Sequence, residues 1–326
     1  MEDFGPPYYT SETAPPPESI DIGRYVIQAP LIPEPTNCSY VYLCYDKVDN
    51  QKKVIKFNKL SLKKKGQIGN EIKTLRCVIH ANIIRLEDYF RFDAYMCLIF
   101  PFTPHRSIET ALSNQYQQGI PEEIVVNMAY QMLQAVNYLH EMNIWHRDIK
   151  TDNFLLFDSP QNTIGIQNNQ NFPLVVLTDF GFARFFNQDE QGYQTMGTAE
   201  YMSPELYEGK PYDKSVDIWA LGITFFKMLT NRFPFSKPKK LPKSFKKRIF
   251  RGCLNFDILT WLYISPDCID LIRKMCAYDP SQRITAKDAL LHPWITSISG
   301  ENKSARENDV AAAIGQSTEF IFTPGT

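Results

Sequence analysis

At Phe102 the hydrophobic pattern of this chain changes its period, and that change limits the folds open to it more than any other feature. From Tyr25 to Phe102 the stretches SYVYLCY, KKVIKF and YMCLIF alternate or run apolar, as strands do, around one helical segment at GNEIKTLRCVI. Beyond Phe102, PEEIVVNMAYQMLQAVNYLHEMN places Ile124, Met128, Met132, Ala135 and Leu139 at helical spacing. Pro121 there stands at a first-turn position, with Glu122 and Glu123 near the positive end of the helix. SPDCIDLIRKMCAYD and TAKDALLHPWI open on the cap residues Ser265 and Thr285. The expected fold class is α+β with two lobes: a small antiparallel sheet carrying one helix over 25–102, and a larger, mostly helical lobe over 103–295.

Composition closes several alternatives. With 44% hydrophobic residues in 326, the chain can bury a full core, and a formal net charge of -1 gives no global field toward nucleic acid or an anionic membrane. Seven cysteines without a CxxC pair fit reduced thiols of the cytosol or nucleus. Residues 1–24 are acidic and proline-rich with no signal-peptide pattern, and read as a disordered arm. Residues 296–326 read as a tail, and the Asn/Gln-rich 158–173 as an exposed loop insertion. VDIWALGITFFKML at 216–229 is too short to span a bilayer and is expected to be a buried helix, so no membrane and no nucleic-acid partner is expected.

Residues 146–153 read HRDIKTDN, residues 179–181 DFG and residues 203–205 SPE, a compound signal in one order. Over about Tyr25–Ile295 the sequence resembles the eukaryotic protein kinases, and Lys150, two residues after Asp148, resembles their serine/threonine branch. The resemblance implies a bilobal protein-kinase-like fold, protein substrates, and ATP and Mg²⁺ as cofactors. It makes Asp148 the catalytic aspartate that accepts the hydroxyl proton, Lys150 a cation beside the transferring phosphoryl group, and Thr198 of GTAEYMSPE a bridge between them. Asn153 and Asp179 become oxygen ligands for Mg²⁺. Lys56 of VIK becomes the holder of the α and β phosphates, with Glu71 of NEIKTL as its partner. Val41, Val54 and Leu155 fall where the adenine is sandwiched, the carbonyl of Pro101 and the amide of Thr103 where it is hydrogen-bonded. Asp217 matches an aspartate that holds the catalytic loop from beneath, and Glu205 with Arg283 a buried pair that braces the helical lobe.

The chain departs from the family where glycines are expected. Aligned from Val41, GxGxxGxV becomes Glu34, Thr36 and Ser39, so side chains stand where backbone amides would approach phosphate. Weaker ATP binding or slower turnover is the expected consequence, and a pseudokinase scaffold the alternative to an active enzyme. Arg147 is implied as the partner of a phosphate on the segment 179–205, with Thr195 the candidate acceptor of an upstream activating kinase and Asp189 or Glu190 as permanent charges in its place. Lys227, together with the lysine-rich 236–248, suggests acidic or previously phosphorylated substrates, and Asp152 a contact for arginine.

Overall fold

The computed structural model describes residues 20–32, 39–61, 65–158, 172–187, 190–234 and 264–297. They divide into two compact units: the described residues up to 77 with 84–102, and residues 78–83 with the described residues from 103 onward.

The first unit is a six-stranded antiparallel sheet of β1 (Asp21–Ile22), β2 (Tyr25–Pro30), β3 (Ser39–Asp46), β4 (Lys52–Lys59), β5 (Asp88–Phe92) and β6 (Tyr95–Pro101), in the order β1-β2-β3-β4-β6-β5. Period-two alternation sends Tyr42, Cys44, Ile55, Phe57, Cys97 and Ile99 to one face, where they pack with Tyr25 and Ile27. Each fully buried aliphatic or aromatic side chain there contributes about 1.5–3 kcal/mol. Val41, Val54 and Lys56 share the other face, as the register Val41 to Lys56 and Leu43 to Val54 requires. The sheet begins inside the stretch expected to be an arm ending at residue 24. Gly23, at φ +71°, turns Asp21–Ile22 back onto Tyr25–Val26, and Arg24 grips Asp46 through two bonds of 2.8 and 2.6 Å. A strand of two residues has no period to read, which is why this edge was not expected. Helix α1 (Lys65–Cys77) buries Ile68, Glu71 and Leu75, residues that fall on one face.

In the second unit, α2 (Ile108–Asn114), α3 (Glu122–Glu141), α4 (Pro204–Glu208), α5 (Ser215–Thr230), α6 (Pro266–Met275), α7 (Ala286–Leu290) and α8 (Pro293–Thr296) accompany two short antiparallel pairs. These pairs are β7 (Ile144–Trp145) with β10 (Arg184–Phe185), and β8 (Phe154–Phe157) with β9 (Leu174–Leu177). Pro121 is the residue before α3 rather than its first turn, and Ser265 and Thr285 cap α6 and α7 by accepting the amides of Cys268 and Asp288. Helix α5 is buried on all sides after Ser215, the expected outcome for its apolar run. The hydroxyls of Thr224 and Thr230 satisfy themselves on the carbonyls of Ala220 and Phe226. Gly222 is required for the α5–α6 contact, because a Cβ there would lie 2.6 Å from the sulfur of Cys276. Among the described residues no helix is long and apolar enough to cross a membrane.

Candidate active site

Glu71 lies on the inward face of α1 at 3% exposure, and a buried carboxylate needs a cation. Lys56 supplies it, with Nζ 2.8 Å from Glu71 Oε1. Their separation of fifteen residues, one on a strand and one on a helix, is bridged within the first unit.

The second unit carries the other charged groups, and a single buried carboxylate organises them. Asp217 of α5 accepts the amides of His146 (2.9 Å) and Arg147 (2.7 Å), while the His140 ring stands 3.0 Å from the same carboxylate. Burial opposes its charge, yet the His140 bond, the neighbouring His146 and the Arg147 amide hold its carboxyl below the usual carboxylate range. The loop anchored this way presents Asp148. Lys150 Nζ lies 2.9 Å from Asp148 Oδ2 and donates to Thr198 Oγ1 at 2.9 Å, and Thr198 donates to Asp148 Oδ1 at 3.0 Å. A triangle of carboxylate, ammonium and hydroxyl results. Thr198 reaches it because Gly197, at φ +93°, lets the chain pass against the 146–153 loop; a Cβ on Gly197 would meet the Arg147 carbonyl at 2.7 Å.

Asn153 closes the loop by donating through Nδ2 to the Asp148 carbonyl at 2.7 Å and to Oδ2 at 3.1 Å. That commits its nitrogen and leaves its amide oxygen as the group able to ligate a hard cation. Asp179 stands at φ +60° before the 3-10 turn Phe180–Phe182, and Arg147 at φ +66°. Two non-glycine residues in the left-handed region within one site cost on the order of 1–3 kcal/mol each, strain of the kind that collects at functional positions. His146 packs edge-on against Phe180, centroids 4.9 Å apart, with its Nε2 3.1 Å from the Thr178 carbonyl.

The remaining expected site residues are placed as follows. Val41 and Val54 are half-buried on the face of the sheet that carries Lys56, and Pro101 ends β6 opposite Lys53. In the second unit Leu155 is half-buried opposite Val176, and Thr103 is buried with its hydroxyl on the Leu156 carbonyl. Thr195 is exposed. Ser39 starts β3 and donates to Asn58 at 2.7 Å, whereas Glu34, Thr36, Asp189 and the lysine-rich 236–248 lie outside the described residues. Glu190 is paired with Arg184 at 2.8 Å, not with Arg147.

Lys227 departs from its expected role. Its side chain is 9% exposed, its Nζ is bound to Glu109, and it lies over the ring of Phe233. The cation that was expected to face an acidic substrate is therefore neutralised inside the second unit. Glu109 also accepts the Thr151 hydroxyl at 2.5 Å, and Thr151 lies 2.8 Å from the Tyr201 hydroxyl. Since the Thr151 proton is already given to Glu109, Tyr201 is the donor to Thr151. The chain Tyr201, Thr151, Glu109, Lys227 thus ties the turn Ala199–Tyr201, the 146–153 loop, α2 and α5 together. Replacing Glu109 by Ala is expected to destabilise the protein by roughly 2–3 kcal/mol, because it strands Lys227 without a counter-charge. Joining Glu109→Leu to Lys227→Met should recover most of that loss in urea unfolding. Additive losses in the double variant would show that the pair is not coupled.

Nothing in the sequence linked Glu109 to Lys227 or Tyr201 to Thr151. The signal that existed was weaker: Thr151 stands inside HRDIKTDN, so any partner it has acts on the loop of Asp148.

Residues 37–295 match the protein kinase domain family. This chain is a member of the protein kinase family. It is 31% identical over 229 residues to an Aurora kinase of Yarrowia lipolytica, a stretch that covers 70% of this chain and 56% of that protein. It is 31% identical over 255 residues to the Aurora kinase of Saccharomyces cerevisiae, covering 78% and 62%. With serine/threonine-protein kinase SRK2E of Arabidopsis thaliana it shares 28% identity over 293 residues, 88% of this chain and 77% of the relative. The chain therefore spans about three fifths of the length of the two Aurora kinases it matches.

Proposed function

We propose that this protein kinase transfers the γ-phosphoryl group of ATP to serine and threonine hydroxyls of proteins. The observation that carries the reading is the triangle of Asp148, Lys150 and Thr198, with Asn153 tied to the same aspartate. Asp148 is placed to take the proton of an acceptor hydroxyl, and Lys150 to offset negative charge beside it. Thr198 holds both in register, which is most of what phosphoryl transfer asks of a protein. The kinship with serine/threonine kinases supports this acceptor class.

The donor set suits Mg·ATP. The Asn153 amide oxygen and the Asp179 carboxylate are hard oxygen ligands, and Lys56, held by Glu71, is a positioned cation for phosphate. When bound, the metal neutralises phosphate charge. Val41, Val54 and Leu155 are apolar groups suited to an adenine ring, with the Pro101 carbonyl and the Thr103 amide as its hydrogen-bonding groups. Of the charges expected to select substrate, Lys227 is taken by Glu109, so a preference for acidic or pre-phosphorylated sequences rests on the lysine-rich 236–248, while exposed Asp152 favours a basic neighbour.

Transfer from labelled ATP by the purified wild-type chain tests the reading against a scaffold that binds without transferring. The same preparation tests the phosphate loop. Glycine at 34, 36 and 39 together is expected to tighten nucleotide binding several-fold in calorimetry, since glycine would let backbone amides approach phosphate closely. Unchanged or weaker binding would discard that account.

A further inference from the structure

We propose that Tyr212 is a positioning residue that holds the activation segment and Arg147 in working order through its phenol, so that the enzyme needs no phosphate on that segment. The inference rests on the kinase reading and concerns its regulation. Arg147 precedes the catalytic aspartate, is buried, and has three partners without formal charge. Its Nε donates to the Phe182 carbonyl at 2.9 Å, its Nη1 to the Tyr212 hydroxyl at 3.3 Å, and its guanidinium lies over the Phe186 ring at 5.3 Å. Phe186 in turn stacks on Trp145, centroids 3.5 Å apart, so the surface beneath the guanidinium is fixed.

Tyr212 carries that contact onward. Its hydroxyl, having accepted from Arg147, donates to the Gln194 carbonyl at 2.9 Å. Its backbone makes both bonds of an antiparallel bridge with Gly192, at 2.8 and 3.0 Å. The ring lies so close to Gly192 that a Cβ on that residue would stand 2.3 Å from it. Sequence and geometry converge here: Gly192 admits the ring, and the phenol joins Arg147 to residue 194. Thr198, which completes the Asp148 triangle, lies four residues beyond Gln194.

A phosphate on Thr195 would compete with the phenol for Arg147. Charge-assisted bonds to a dianion are stronger than a neutral 3.3 Å contact, so phosphorylation is a chemically sound rival. The buried guanidinium is nevertheless already supplied with an acceptor, a carbonyl and a ring face, and the chain at 192–194 is already tied down.

The test uses the full chain, treated with phosphatase until intact mass shows no phosphate. Wild-type kcat/KM for a peptide is expected to stay within twofold of the untreated protein. Tyr212→Phe keeps the ring and the backbone bridge and removes only the hydroxyl. It should lower kcat/KM for peptide about tenfold or more, with nucleotide affinity and melting temperature nearly unchanged. Amide exchange at residues 190–198 should be slow in dephosphorylated wild type and faster in Tyr212→Phe, a readout that stands even where no transfer is detected. A tenfold loss on dephosphorylation would overturn the proposal, as would wild-type kcat/KM in Tyr212→Phe. Equal exchange in the two proteins would overturn it without touching the kinase reading. Absence of transfer from every preparation, with the exchange difference intact, would instead count against the kinase reading alone.

Discussion

Asp148→Asn is expected to lower phosphoryl transfer by about 10²–10⁴-fold, the range associated with removing a positioned general base. Asparagine keeps an oxygen for the Thr198 hydroxyl, so the chain around Thr198 loses little support. It cannot accept the substrate proton at neutral pH, and it gives up the 2.9 Å ion pair with Lys150. Its new amide group also competes with Asn153, which already donates toward the same side chain at 3.1 Å. Nucleotide affinity by calorimetry should stay within a few-fold of wild type, because neither Lys56 nor Asp179 is altered. Activity within tenfold of wild type would remove Asp148 from the role of base. Loss of nucleotide binding in parallel would mean that the substitution damaged more than proton transfer.

The contrast between what the sequence disclosed and what it did not follows from the range of each signal. Alternation in SYVYLCY and KKVIKF identified the strands, because a pleat sets its period locally. HRDIKTDN and DFG are contiguous, so their residues could be named before any partner was known. The contacts that hold those residues in place are not contiguous. Arg147 and Tyr212 are 65 residues apart, and Glu109 and Lys227 are 118. No period or cap connects such positions. Lys227 misled for a related reason: in a helix buried on every side, a charge within an apolar run tells nothing of where its counter-charge lies. The tight hairpin at Asp21–Val26 was hidden by its own brevity.

Arg283→Met carries the largest expected cost in stability. The guanidinium side chain is 0% exposed and grips Glu205 through bonds of 2.6 and 2.8 Å. It also donates to the carbonyls of Ala277 (2.9 Å) and Ser215 (3.1 Å), and lies over the Trp219 ring at 5.2 Å. Methionine fills much of the volume but strands a carboxylate that is 6% exposed, so the loss should be about 3–5 kcal/mol in urea unfolding. For a domain of this size that corresponds to a melting point lower by roughly 6–20 °C. Joining Glu205→Leu to Arg283→Met removes the stranded charge and should recover a large part of the stability. The carbonyls of Ala277 and Ser215 would still lack their donor, so recovery is expected to be incomplete. Activity discriminates further. Glu205, the second residue of α4, lies seven residues after Thr198, so even a restabilised apolar pair is expected to hold the chain around Thr198 less firmly and to raise KM for peptide more than it lowers nucleotide affinity. A single Arg283→Met variant that loses less than about 1 kcal/mol would show that water or a neighbouring donor reaches Glu205, and that the pair is not the brace its geometry implies.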